Sequence, residues 1–148
     1  SPRSIELPQH YRFEQGQGAV LREGSDAILF AYGPVMLNEA LVASELLSGK
    51  GLEVKVVNMP WLNCINLKWM AKVLQDVRKV FVLEDHSPVG GLGDYLLSQL
   101  VHNNLLKNRS FEKFGVEEFP VCGTPVEALQ CHKLDGASIA RNCFGYRM

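Results

Sequence analysis

The sequence predicts an α/β fold: a three-layer α/β/α sandwich around a mixed five-stranded sheet whose first strand runs antiparallel to the others. Three observations carry that prediction. Short apolar runs at 26–32 (DAILFAY), 52–59 and 79–84 alternate with stretches of helical period. The joints between them are short, so strand, helix and strand form βαβ units with parallel strands and right-handed crossovers. A further strand candidate at 18–22 is separated from 26–32 only by Glu23-Gly24-Ser25. That link is too short for a crossover, so the two are expected to be antiparallel neighbours.

Each element has a local cause. Residues 1–17 hold two prolines, scattered charge and no period, and read as a linker or extended arm before a domain at 18–144 and a tail at 145–148. The missing initiator Met fits a segment of a longer chain. Gly33-Pro34 ends the second strand, and Pro34 suits a helix start because its absent N–H would be unpaired there. Leu37, Ala40, Leu41, Ser44 and Leu47 recur at helical spacing until Gly49 and Gly51. Asn66 is the expected cap of a helix over 67–77, with Trp69, Met70, Val73 and Leu74 as its inward stripe. After the strand at 79–84, Leu92, Leu96, Leu97, Leu100 and Val101 form the face of another helix, with Asp94 near its positive end. Residues 111–119 (FEKFGVEEF) read as an edge strand, given their glycine and charges. Gly123-Thr124-Pro125 starts a short helix to Gln130, and Ala137 begins a last one to about Phe144.

Bulk properties narrow the function. A chain of 148 residues, 47% hydrophobic and 21% charged, is one ordinary globular domain. At this size roughly 68–70% of the unfolded surface is buried, so folding needs no metal or disulfide. The net charge of −1 argues against nucleic acid or an anionic membrane as partner. No apolar run suits a membrane span or a secretory signal, and a cytoplasmic protein is expected. Cys64, Cys122, Cys131 and Cys143 form no metal-ligand spacing and read as reduced, partly buried thiols.

The stretch 79–95 (KVFVLEDHSPVGGLGDY) organises the rest: a buried strand, then Glu84, Asp85 and His86, then a glycine turn opening a helix. Carboxyl ends of strands are where ligands and partners meet such a sheet. Acid–base chemistry at Glu84, Asp85 and His86 is conceivable, but consecutive residues at a strand end point different ways, so a structural lock or interface is the better reading. Gly90, Gly91 and Gly93 could cradle a phosphate at a helix start. Yet Leu96 stands where the dinucleotide fingerprint needs its last glycine, and no P-loop lysine follows. The glycines then serve a tight turn and close helix–sheet approach. Trp61 and Leu62 load a loop with apolar surface and point to a patch covered by a partner.

These segments together resemble the C-terminal domain of transketolase-like, thiamine-diphosphate-dependent enzymes. The likeness runs from about 16 to 141. It is carried by 20–26 (VLREGSD) leading into Ala31-Tyr32-Gly33, the helix from Asn38 to Leu47, 54–59 (VKVVNM), and 82–86 (VLEDH) with Gly90-Gly91-Leu92-Gly93. The last is the most specific. The loop at 60–66 departs from a basic-Pro-Leu-Asp pattern common in relatives, and 143–148 has no counterpart. The resemblance implies a domain following a pyrimidine-binding domain in a homodimeric parent enzyme that transfers a two-carbon ketol or 2-oxo acid group. It also implies that thiamine diphosphate and a divalent metal ion are held by the other domains, with no catalytic, cofactor or metal residue here. An assembly domain is therefore one hypothesis. An independent phosphate- or nucleotide-binding regulatory module built on the turn at 90–93 is the other.

Overall fold

Alternate residues of the central strands leave the sheet on opposite faces, and two apolar layers result. The computed structural model describes residues 4–85, 90–115 and 124–145. Along the chain run β1 (Ala19–Arg22), β2 (Ala27–Ala31), α1 (Pro34–Ser48), β3 (Val54–Asn58), α2 (Leu67–Val73), β4 (Lys79–Leu83), α3 (Leu92–His102), β5 (Ser110–Phe114), α4 (Pro125–Cys131) and α5 (Gly136–Phe144). The sheet order is β1-β3-β2-β4-β5. Strands β2 to β5 are parallel and β1 is antiparallel to β3. Leu29, Val56, Phe81 and Leu83 face α1 and α5. Ile28, Phe30, Val57, Val80 and Val82 face α2 and α3. The sandwich and its reversed first strand are as the sequence predicts.

One pairing is not. β1 does not neighbour β2; it pairs with β3, Ala19 opposite Asn58 and Val20 opposite Val57. The turn at 23–25 crosses the start of β3 and delivers β2 to that strand's other side. Gly24 makes the crossing possible, since a Cβ there would lie 2.5 Å from the Glu53 carbonyl oxygen. The Asp26 N–H donates to the Glu53 carbonyl oxygen at 2.9 Å, and Asp26 Oδ2 accepts from the Glu53 N–H at 2.7 Å.

Two boundaries differ from expectation. Helix α2 stops at Val73: Leu74 caps it, and Asp76, at φ 64°, takes the chain out of the right-handed conformation. Lys55 Nζ donates to Val73 O at 2.8 Å, and Arg109 donates to Leu74 O at 3.0 Å and to Val77 O at 2.7 Å. Strand β5 spans Ser110–Phe114 and ends before Gly115, short of the expected 119; residues 116–119 lie outside the described residues. The Asn66 cap is as read: its side chain accepts from the Trp69 N–H at 3.0 Å.

Candidate functional site

After β2 the chain turns to β3 on one side of the sheet, and β4 enters on the other. The carboxyl ends of β2 and β4 therefore border the topological switch point, where α/β sheets open a crevice. Ala31 pairs with Leu83, so the next residues, Tyr32 and Glu84, come side by side. Burial raises the pKa of Tyr32, with Glu84 and Asp85 adding to it as nearby negative charge.

Glu84 is fully buried. Its N–H donates to Phe114 O at 2.9 Å, which ties the end of β4 to β5. Its carboxyl group lies against the start of α3. A Cβ on Gly91 would sit 2.0 Å from Glu84 Oε1, and one on Gly93 would sit 3.1 Å from Oε2. Gly91 has an ordinary extended conformation, φ −97°, so the close approach alone demands glycine there. The Gly93 and Leu92 amides lie near enough to pull the pKa of Glu84 down. Neither carboxylate oxygen, however, has a hydrogen-bond partner of full geometry among the described residues. Burial is the larger effect, and on balance the pKa is raised.

The helix start carries a second carboxylate. Asp94 Oδ2 accepts from the Gly90 N–H at 2.6 Å, and Oδ1 accepts from Lys113 Nζ of β5. The Gly90 bond and then Lys113 hold the Asp94 pKa below the usual range. The Lys113 stem crosses Gly93, where a Cβ would lie 2.6 Å from its Cδ. Farther along the first turn of α3, burial raises the pKa of Tyr95, with Cys64 of the loop after β3 as a lesser cause.

The sequence-predicted residues separate into two groups on this carboxyl edge. Glu84, Gly91 and Gly93 converge in one contact, and Gly90, at φ 79°, closes the turn. Asp85 is exposed, and His86 lies outside the described residues. Trp61 and Leu62 sit on the loop after β3. Trp61 is half-buried: its ring lies 4.9 Å from that of Phe13, and its Nε1 donates to Gln17 O at 3.0 Å. The arm before β1 thus covers part of the patch the sequence leaves open, while Leu62 stays 45% exposed. Sequence reasoning missed Tyr32 and Lys113. Tyr32 was marked by its place before Gly33-Pro34, at the end of an apolar run; Lys113 carries no such sign, because it meets Asp94 only through the β4–β5 register.

Chemically, the arrangement fills its own anion seat. A phosphate at the start of α3 would meet the Glu84 carboxyl group where the free amides should be. Among the described residues no group of three His, Cys, Asp or Glu could hold a metal ion. A cleft of about 410 Å³ beyond Lys113, between β5 and the α4–α5 corner, has His132, Lys133 and Asn142 on its wall but no buried charged side chain.

Relatives agree with this architecture. Residues 16–139 match the family described as transketolase, C-terminal domain. A 1-deoxy-D-xylulose-5-phosphate synthase of Rhodopirellula baltica is 34% identical over 131 residues, covering 88% of this chain and 20% of that protein. The chain thus spans about a fifth of that relative's length. A solved structure described as a split gene transketolase, inactive beta4 tetramer, aligns with TM-score 0.82 at 27% identity, over 99% of this chain and 48% of the other. A transketolase from Campylobacter jejuni shares the fold at TM-score 0.65 and 19% identity, covering 96% of this chain and 20% of its own. With residues 16–139 matched by the family model, well over half of its length, the chain belongs to the transketolase C-terminal domain family.

Proposed function

We propose that this chain is the assembly domain of a transketolase-like, thiamine-diphosphate-dependent enzyme and is not catalytic alone. The parent reaction is transfer of a two-carbon ketol or 2-oxo acid group. Thiamine diphosphate and its divalent metal ion bind the parent's other domains; the chain's partners are a pyrimidine-binding domain and, in a homodimer, a second copy; the location is cytoplasmic. The observation that carries the reading is the buried Glu84 carboxyl group in the seat at the start of α3. It turns the best candidate ligand site into an internal lock, so the carboxyl edge has contacts rather than chemistry to offer. The exposed Leu62 beside half-buried Trp61 supplies apolar surface for such contacts. The split gene transketolase, described as an inactive tetramer, supports the same reading for a chain that includes this fold.

The alternative, a phosphate- or nucleotide-binding module on Gly90 to Gly93, requires Glu84 to leave. Calorimetry separates the two. Inorganic phosphate, ATP and thiamine diphosphate with Mg²⁺ are expected to give no heat of binding to this chain. Saturable heat from phosphate or ATP, lost in Gly91→Val, would replace the assembly reading with the module.

A further inference from the structure

We propose that Glu84 is a proton-controlled latch on the start of α3: the protonated carboxyl group holds the turn at 90–93 closed, and its ionisation loosens that contact. Four observations combine. Glu84 is fully buried, and neither of its oxygens is hydrogen-bonded among the described residues. Its seat is shaped by two glycines, with no room for a Cβ on Gly91. The seat is the N-terminal end of an 11-residue helix, whose amides favour the ionised form. Among the described residues the cation within reach is Lys113, which is bonded to Asp94.

The described titratable and charged groups around the carboxyl group decide the balance. Tyr32 at the end of β2 is neutral in the ordinary range. Asp85 follows on β4's own end, and Asp94 on α3 is a like charge. Lys113 on β5 is the opposite charge, shared with Asp94. An ionised Glu84 therefore meets the Leu92 and Gly93 amides and a committed lysine, against loss of water and repulsion from Asp94. A neutral carboxyl group needs no counter-charge in a seat closed to water and can accept from the Leu92 and Gly93 amides. Ionisation is relieved either by admitting water, which opens the turn, or by drawing Lys113 from Asp94, which frees the Gly90 end. Both loosen the first turn of α3.

The test is a pH titration of the whole chain by amide NMR, from about pH 4 to about pH 9, spanning carboxylate and imidazole ranges. The Gly91, Leu92 and Gly93 amides are expected to titrate together, with a midpoint above the ordinary glutamate range. Hydrogen exchange at 92–96, corrected against an unstructured peptide, is expected to speed up through that midpoint. The gain is about tenfold for each pH unit separating closed and open midpoints. Glu84→Gln should abolish both responses. Asp94→Asn, by releasing Lys113 and removing a like charge, should move the midpoint down; a purely structural Asp94 would leave it in place. No titration of these amides, or a titration that survives Glu84→Gln, overturns the proposal. If Glu84→Gln does not fold, an unmoved midpoint in Asp94→Asn overturns it alone.

Discussion

Gly91 illustrates how one missing methyl group can decide a site. The space that a Cβ would need is taken by Glu84 Oε1, 2.0 Å away, and Glu84 is too buried to swing aside freely. Gly91→Ala should destabilise the chain by about 1–3 kcal/mol, the usual range for overpacking. Adding Glu84→Ala should return part of that loss, with a coupling of about 0.5–3 kcal/mol. Urea unfolding of the two single variants and the double variant measures it, provided the slope m is unchanged. The pH dependence follows from the direction of the Glu84 shift. Burial raises its pKa, so the native state holds the proton more tightly than the unfolded chain. Its stabilising contribution is complete below the unfolded pKa and is lost as pH rises through the native one. Glu84→Gln should therefore flatten the fall in stability above the ordinary glutamate range, which melting curves at several pH values detect.

At the scale of elements, a side chain distant in sequence ties down the turn that follows a helix. Arg109 donates to Val77 O at 2.7 Å, Leu105 O at 2.9 Å and Leu74 O at 3.0 Å, so one guanidinium joins the end of α2 to the turn before β5. Arg109→Met keeps the stem but leaves three carbonyls without that partner. The expected loss is about 2–4 kcal/mol, from charge-assisted bonds that do not add fully. Thermal unfolding reports the loss, and faster hydrogen exchange at 73–77 localises it. This also explains what could be read in advance. The strands were legible because residues such as Leu29 and Phe30 are apolar on both faces, as a doubly covered sheet requires. The neighbour of β1 was not, since a short link limits how far the chain travels but not which side of β3 it reaches. The β1–β3 pairing and the contact between Gly24 and the Glu53–Val54 backbone show that crossing. At the site, the spacing singled out Glu84 and the glycines, which the structure brings into one contact. Lys113 and the cover that Phe13 gives Trp61 were not, because both depend on pairings distant in sequence.

At the scale of the molecule, two separate cores, one on each face, brace the sheet, and its carboxyl edge carries the lock at Glu84 and the loop of Trp61 and Leu62. No helix among the described residues is long and apolar enough to cross a membrane. Phe13, at 73% exposed, and Leu62, at 45%, place apolar area beside the same loop. Such area suits a contact with another domain or copy better than a small-molecule pocket. The proposed assembly role requires that another domain or copy cover this edge. Sedimentation velocity of the chain over a wide concentration range puts that requirement to the test. The sedimentation coefficient should rise with concentration, and Leu62→Asp should suppress the rise while leaving the melting temperature near that of the parent chain. A monomer indifferent to concentration, in both the parent chain and the variant, would contradict it.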